Sequence, residues 1–329
     1  MSTETAAPRG VAVPILKSLL SADALGEVVA REYGLEEVRC ELVKAVTLDT
    51  YRVRSRSGSF ALRVYPARRT EAEVRGELEF RVRLGAAGIP VPAPVARPDG
   101  SLCFALEAPE GTRLAVLFGF AAGQPLNERP LPEHLRAHGA LLARLHLAAD
   151  AVPPIPARPA LTLEARVDEP LEVLLRAFGA RSSAGTMGRY AAARVRPAIE
   201  ALPREAPVYG LCHGDPGTSN ALVAADGRIT LLGFDFCGPG WRMHDLAVAV
   251  NEVPEESEKH LLEGYHEVRP LSADEVASIP AFQAAHYLWL LAMRTRHLNE
   301  WGSFLFPDQW VIQAFTQVEA LVARLKQPA

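Results

Sequence analysis

The stretch that decides the fold of this chain is LCHGDPGTSNALVAADGRITLLGFDFCGPG, residues 211–240. In it Asp215 is followed five positions later by Asn220, and apolar runs predict two short strands around the AADG turn. The interval places both side chains on one tight loop, where each can face a different group. An aspartate before Pro-Gly can simply cap a turn, but the preceding His-Gly and the following Ala-Leu-Val make the pattern specific.

The loop has the residue types that phosphoryl transfer requires. That reaction needs a carboxylate to orient the attacking hydroxyl, oxygen ligands for a metal ion, and cations that balance the phosphate charge. Protein kinases have a catalytic aspartate and a metal-binding asparagine at the same spacing. Carboxylate and amide oxygens are hard donors that suit Mg²⁺. Asp215 and Asn220 are therefore candidates for these two roles.

The composition is that of a soluble globular protein. The chain has 329 residues, 49% of them hydrophobic, which allows a sizeable core in one or two domains. A net charge of −4 without a basic block argues against a nucleic-acid partner. The longest apolar run, LAVLFGFAAG from Leu114, is far shorter than the roughly 20 residues of a membrane helix. We expect a cytoplasmic monomer or homodimer, with reduced cysteines and no membrane partner.

Hydrophobic periodicity divides the chain into two parts of different texture. Residues 1–14 are expected to be disordered. Residues 15–120 alternate like antiparallel strands, with helices at residues 24–33 and in TEAEVRGELEFRVRLGAAGI. Residues 121–329 are mainly helical and contain a proline-rich linker at residues 151–162. The pattern predicts an α+β protein with a small β-rich lobe, a larger helical lobe and a cleft between them. The apolar stripe of the second predicted helix consists of Val74, Leu78, Val82 and Leu84.

These segments together resemble the aminoglycoside phosphotransferase/choline kinase superfamily of small-molecule phosphotransferases. The likeness covers nearly the whole chain and is carried by CHGDPGTSNALV, GFDFCGPGWRMHDLA, FALRVY and GELEFRVRLGAAGIPVPAPV. The tail, GYHEVRPLSADEVASIPAF followed by LWLLAMRTRH, resembles the bacterial branch of homoserine-kinase-like and stress-response-kinase-like enzymes. The resemblance implies a two-lobe protein-kinase-like fold, with ATP and Mg²⁺ as cofactors and a small-molecule hydroxyl as the acceptor.

The resemblance also implies roles for individual residues of this sequence. Asp215 would be the catalytic carboxylate, braced by His213, and Asn220 would bind Mg²⁺. Arg63 would contact the nucleotide phosphates and pair with Glu77 of the following helix. In the sequence alone, this pair cannot be told from an exposed strand cation and an exposed helix anion.

Two further assignments come from the same resemblance. The hairpin that covers the phosphates would fall at residues 46–51, where Thr47 and Tyr51 are the expected nucleotide contacts and no glycine is present. Asp245 would hold the catalytic loop by accepting hydrogen bonds from backbone N–H groups.

One position departs from the family pattern. Alignment on GPG places the family's metal-binding aspartate at Gly233, which has no side-chain ligand. Asp235 lies two residues further on, and residues two apart in a strand point to the same side, about 6–7 Å apart. Asp235 is therefore the second expected metal ligand, either as a relocated acid or as a second acid that has been retained.

Two functions stay open at this point. The first is an ATP- and Mg²⁺-dependent phosphotransferase that acts on a hydroxyl of a small molecule. The second, suggested by Gly233, is a catalytically impaired kinase-fold protein that acts as a nucleotide or metabolite sensor or as a scaffold.

The acceptor is narrowed only in part. The tail has no acidic cluster for a polycationic antibiotic, so amino alcohols, amino acids and sugars rank above aminoglycosides, and a protein Ser/Thr acceptor stays open. The tail residues with binding chemistry are His286, Tyr287, Trp289, Arg294, His297 and Trp301. On one predicted helix, two faces follow i, i+4 spacing, and one of them lines either a pocket or the core. The faces consist of His286, Leu290 and Arg294, and of Trp289, Met293 and His297.

Overall fold

The computed structural model describes residues 13–128, 130–302 and 307–325. Residues 1–14 were expected to be disordered, and positions 1–12 of this segment lie outside the described residues. Within the described residues, an antiparallel sheet with two helices precedes a mainly helical part, which confirms the α+β class. The predicted boundary between residues 120 and 121 falls directly after the last strand of that sheet and stays a prediction.

The N-terminal sheet has five antiparallel strands in the order β1-β2-β3-β5-β4. Alternating burial along the strands explains the sequence pattern, because one face packs against the first helix and the other faces the cleft. The strands are β1 (Arg39–Ala45), β2 (Asp49–Ser55), β3 (Gly58–Val64), β4 (Phe104–Ala108) and β5 (Gly111–Gly119), and the two helices are α1 (Ala22–Tyr33) and α2 (Glu71–Ala86).

Helix α2 begins with a capping box and packs between the two parts of the chain. Thr70 accepts a hydrogen bond from the Glu73 N–H, and the Glu73 carboxylate accepts one from the Thr70 N–H. The predicted apolar stripe is right at three of its positions, but Val82 is exposed. Phe80 is buried instead, because the helix turns a second face toward the helical part, where Phe80 joins the main core.

The helical part also contains two small sheets that position the loop of residues 211–240. The strands β6, β8 and β9 form one antiparallel sheet, and β7 pairs with β10 in the other. These strands are β6 (Gln124–Pro125), β7 (Tyr209–Cys212), β8 (Ala221–Val223), β9 (Ile229–Leu231) and β10 (Gly238–Trp241). The helices are α3 (Pro132–Ala149), α4 (Glu169–Phe178), α5 (Ser183–Glu200), α6 (Met243–Asn251), α7 (Glu258–Val268), α8 (Ala273–Arg296), α9 (Leu298–Trp301) and α10 (Asp308–Ala323).

Helix α8 lies at the centre of the helical part. It has 24 residues and, among the described helices, it alone is long and apolar enough to cross a membrane. Its most apolar window is 61% buried inside the protein, as is usual for the core helix of a globular fold.

Helices α3 and α7 approach each other closely at two glycines. A Cβ on Gly139 would overlap the backbone carbonyl of Leu261, and a Cβ on Gly264 would overlap that of Arg136. Both positions therefore need glycine for packing, although alanine has the higher helix propensity.

We predict that Gly139→Ala lowers the free energy of unfolding by roughly 1–3 kcal/mol, because the added methyl group forces the two helices apart. Gly85→Ala in α2 is the matched control, since its Cβ would contact only a Val91 methyl, at 3.9 Å. That variant should gain up to about 1 kcal/mol from helix propensity. Urea unfolding of both proteins measures the difference, and equal stabilities would contradict the packing argument.

Candidate active site

The candidate catalytic loop joins β7 to β8 and brings Asp215 and Asn220 together. The loop ends in a short 3₁₀ turn, Thr218–Asn220, that carries the asparagine back toward the aspartate. Asn220 Nδ2 donates to Asp215 Oδ2 and to the Asp215 carbonyl, both at 2.9 Å. The loop thus fixes the carboxylate and directs the free end of the amide, Oδ1, away from it.

Asp245, at the start of α6, anchors the loop as expected from the sequence. Its Oδ1 accepts from the Gly214 N–H at 2.8 Å, and its Oδ2 accepts from the His213 N–H at 2.7 Å. His146 donates to the same carboxylate at 3.0 Å and is held in turn by Tyr265. Burial is the largest single influence and raises the pKa of Asp245, but the His146 hydrogen bond and the charge interactions with nearby histidines together outweigh it and lower the pKa to about 2.

His213 braces the loop from within. Its Nε2 donates to the Leu232 carbonyl at 2.7 Å, and its Nδ1 accepts from the Asp215 N–H at 3.3 Å. Burial lowers the pKa of His213 to about 4, so the ring is neutral at physiological pH. Both ring nitrogens of His213 are hydrogen-bonded, so the ring connects the backbone of Asp215 to that of Leu232, just before Gly233, as expected of a bracing residue.

The surroundings of Asp215 favour its protonated form when no ligand is bound. Burial, together with the nearby carboxylates of Glu252 and Asp235, raises the pKa of Asp215 to about 8. Glu252 follows α6 and accepts from the Ser219 N–H at 2.8 Å and the Thr218 hydroxyl at 3.0 Å. A carboxylate with a pKa near neutrality is suited to general base catalysis.

An ion-pair network connects the N-terminal sheet to the helical part across the cleft. Arg63 of β3 lies 2.7 Å from Asp235 Oδ2 and 3.5 Å from Glu77 Oε1. Glu77 is fully buried and also pairs with Arg81, one turn along α2, at 3.5 Å. The sequence left open whether Arg63 and Glu77 were surface charges, and the structure shows that Glu77 is buried and that the Arg63 side chain is 13% exposed.

The sequence model of the phosphotransferase enzyme family, APH, matches residues 41–274, which is more than half of the chain. The chain belongs to this family. The superfamily resemblance noted in the sequence is thereby confirmed.

Relatives and solved structures agree with this assignment. An uncharacterized protein of Deinococcus radiodurans is 34% identical over 302 residues, which cover 88% of this chain and 86% of that protein. Homoserine kinase of Neisseria meningitidis is 28% identical over 310 residues, 88% of this chain and 92% of the kinase.

Two solved structures share the whole fold. A microcompartment-associated aminopropanol kinase superimposes with a TM-score of 0.77 at 22% identity, covering 92% of this chain and 95% of its own. The amicoumacin kinase hAmiN, solved with AMP-PNP and Ca²⁺, superimposes with a TM-score of 0.76 at 19% identity, and the match covers 93% of this chain and 94% of the kinase. At such identities the likeness shows the fold alone, and it confirms the kinase-like architecture.

The backbone at Gly233 differs from the strand that the sequence suggested. Strand β9 ends at Leu231, Gly233 has a left-handed conformation with φ 72° and ψ 51°, and a 3₁₀ turn, Phe234–Phe236, follows. Asp235 therefore reaches the cleft through this turn, and the argument from strand alternation is wrong. A Cβ on Gly233 would lie 2.7 Å from Asn220 Oδ1, so a side chain here would stand directly beside the asparagine.

The hairpin between β1 and β2 contributes one of its two expected nucleotide contacts to the cleft. Thr47 lines a cavity next to Asp235. Tyr51 points to the opposite face of the sheet, where it is fully buried and its hydroxyl donates to the Leu20 carbonyl at 2.9 Å. The assignment of Tyr51 to the nucleotide is therefore corrected, because its strand alternation directs it toward α1.

The cavity extends from Asp235 toward the C-terminal helices and has a volume of about 300 Å³. Its floor is aromatic, since Phe236 packs edge-on against Trp289 with the ring centroids 4.9 Å apart. Trp289, Met293 and His297, one of the two helical faces that the sequence suggested, all line it, whereas His286 is buried behind Trp289.

Arg158 of the proline-rich linker is a site residue that the sequence did not indicate. It donates to the carbonyls of Asp235 at 2.7 Å, Cys237 at 2.7 Å and Glu73 at 3.0 Å. The linker thereby joins helix α2 to the segment that carries Asp235. No local pattern identifies such a residue, since its partners are backbone atoms far away in the chain.

We predict that Asp245→Asn lowers the free energy of unfolding at pH 7 by roughly 3 kcal/mol, because buried N–H donors lose a charged acceptor. The pKa of Asp245 is lowered from 3.8 to about 2. Its stabilisation is therefore complete above about pH 4 and is lost as the pH falls toward 2.

Chemical denaturation of wild type and variant from pH 7 down to pH 3 measures this difference, which should narrow below about pH 4. Asp226→Asn, in an exposed turn, is the control and should change stability by less than about 0.5 kcal/mol. If the difference in free energy of unfolding between wild type and Asp245→Asn did not change with pH, the charge of Asp245 would not be what anchors the loop.

Proposed function

We propose that this protein is an ATP- and Mg²⁺-dependent phosphotransferase that moves the γ-phosphoryl group of ATP to a hydroxyl of a small molecule. The observation that carries the proposal is the assembly of two separate groups in one cleft. Asp215 is held by Asn220 at 2.9 Å, and Arg63 is held between Asp235 at 2.7 Å and Glu77 at 3.5 Å. Such clusters of buried or partly buried charged groups with a shifted pKa are concentrated at functional sites, which supports the proposal.

The chemistry follows from the position of Asp215. The acceptor hydroxyl oxygen forms a new bond to the γ-phosphorus, while the bond to the β–γ bridging oxygen breaks and ADP leaves. Asp215 orients the hydroxyl and accepts its proton. Arg63 would balance phosphate charge, and Thr47 belongs to the hairpin that would cover the phosphates.

The residues present fit a magnesium ion. Asp235 Oδ1 is buried and has no hydrogen-bond partner among the described residues, which is the state expected of a ligand atom without its ion. Asn220 uses its nitrogen to hold Asp215, which leaves Oδ1 directed toward Gly233. When bound, Mg²⁺ supplies neutralisation of phosphate charge, and it commonly needs only one or two protein ligands beside substrate phosphates and water.

The alternative function is a nucleotide or metabolite sensor or a scaffold without transfer. One observation favours it. Asp235 supplies a carboxylate to the ion site, and one of its two oxygens already pairs with Arg63 at 2.7 Å, while Gly233 offers no replacement. The alternative therefore predicts nucleotide binding that does not depend on magnesium.

Asp215→Asn should lower kcat about 10²–10⁴-fold, because an amide cannot accept the proton. The melting temperature and the affinity for AMP-PNP should stay unchanged. The measurement is ADP release, with ³¹P detection of the product, over amino alcohols, amino acids and sugars. Asp226→Asn serves as the control, and turnover retained by Asp215→Asn would refute the catalytic assignment.

Gly233→Asp should raise the affinity for Mg²⁺-ATP about tenfold, because it adds a carboxylate beside Asn220. It should also cost about 1 kcal/mol of stability, since position 233 is left-handed and its side chain would press on Asn220. Gly233→Asn is the matched control, because it shares the strain but adds no charge.

Calorimetric titration of ATP with and without Mg²⁺ separates these effects. Equal magnesium dependence in wild type and both variants would mean that Asn220 and Asp235 already hold the ion. Magnesium-independent binding by the wild type would favour the sensor.

A further inference from the structure

A buried arginine without an acidic partner lies beside the active site. Arg166 is 7% exposed, and within the part of the chain that the structure describes its side chain forms no ion pair and its buried Nη1 has no hydrogen-bond partner. Burial lowers the pKa of Arg166 to about 10, and the negative charge of Asp215 partly offsets this lowering. A buried charge normally has a partner, because its desolvation is otherwise uncompensated.

Arg166 lies next to residues that line the cavity. It belongs to the π-helical turn Glu164–Asp168, one turn before Pro170, which lines the cavity. Its guanidinium lies over the Trp289 ring, 4.5 Å from the centroid, and Trp289 packs in turn on Phe236 beside Asp235. Arg166 is therefore adjacent to the aromatic floor of the cavity.

The other side of Trp289 leads to the catalytic loop. The His286 ring stacks on that of Trp289, with the ring centroids 5.6 Å apart, and its centroid lies 6.0 Å from that of the His244 ring. His244 Nε2 in turn lies 3.2 Å from the carbonyl oxygen of Gly214, the residue before Asp215. His286 Nδ1 is buried and has no partner among the described residues. Two buried polar atoms without partners among the described residues, Arg166 Nη1 and His286 Nδ1, thus belong to side chains that both lie against Trp289.

The three arginines that line the cavity differ from Arg166, because each of them forms an ion pair with a carboxylate. Arg69 pairs with Glu73 at 3.2 Å, Arg68 with Glu300 at 3.1 Å, and Arg296 with Glu169 at 3.5 Å. Their charges are compensated without a ligand, whereas that of Arg166 is not.

We propose that Arg166 binds a carboxylate of the acceptor, so that the substrate is a small hydroxy acid or hydroxylated amino acid. A carboxylate would give the guanidinium the charge-assisted hydrogen bonds that it lacks. The same unpaired charge would repel a polycationic acceptor. This inference rests on the proposed function, which supplies the hydroxyl chemistry.

Three matched pairs of probes test the proposal, each pair differing only by the carboxylate. They are L-serine with ethanolamine, L-threonine with 1-amino-2-propanol, and L-homoserine with 3-amino-1-propanol. Binding is measured calorimetrically in the presence of AMP-PNP, and transfer is measured by ADP release with ATP. In at least one pair the wild type should prefer the carboxylate member about 100-fold.

Arg166→Met is the diagnostic variant. This substitution should abolish the preference by weakening the binding of only the carboxylate member of each pair. It should not lower the melting temperature, since it removes an uncompensated buried charge. Arg166→Lys should restore part of the preference. Arg176→Met, an exposed arginine of α4 paired with Glu172, is the control and should change neither property.

Several outcomes would overturn the assignment. These are a wild-type preference for the decarboxylated members, a preference that survives Arg166→Met, or no binding of any carboxylate probe at millimolar concentration. An equal loss of kcat for both members of a pair would assign Arg166 to the transferred phosphoryl group and also overturn it. Carboxylate-selective binding without any transfer would refute the proposed function and leave the Arg166 subsite supported.

Discussion

The buried carboxylate of Asp245 is the interaction on which the rest of the site depends. It accepts the N–H groups of His213 and Gly214 at 2.7 and 2.8 Å, so the backbone immediately before Asp215 is fixed to the start of α6. His146 of α3 bonds the same carboxylate, which joins the loop to the main core as well. A charge can be kept in such a place only because several donors surround it, and those donors are thereby held in one geometry.

A second set of charges holds the cleft together from the opposite side. Arg63 on the sheet and Asp235 on the helical part are 172 residues apart in sequence and 2.7 Å apart in space. Arg158 bonds the carbonyls on both sides of this junction, at Glu73 and Asp235. Gly233 belongs to the same region, and its left-handed backbone accommodates the sharp change from strand to 3₁₀ turn that delivers Asp235 to the cleft.

The buried arginines differ in how their charge is compensated. This difference distinguishes an arginine with a structural role from one that is proposed to bind a ligand. Arg113 is fully buried and pairs with Asp49 at 2.7 Å, with further bonds to backbone carbonyls, so it is complete within the sheet. Arg166 is almost as buried, but among the described residues its side chain forms no ion pair, and its guanidinium lies over the Trp289 ring, 4.5 Å from the centroid. An incomplete buried charge next to a cavity is the physical basis for assigning it to a ligand.

The sequence by itself determined the features that depend on local spacing. The Asp215–Asn220 interval indicated a candidate catalytic loop, and strand alternation and helix periodicity predicted the α+β class. Strand periodicity was also available for Tyr51, yet only the tertiary structure decided which face of β2 meets α1. Likewise, the left-handed turn at Gly233, the burial of Glu77 and the roles of Arg158 and Arg166 depend on packing between distant segments. These are energetic consequences of burial and long-range pairing, which leave no periodic signal in the chain.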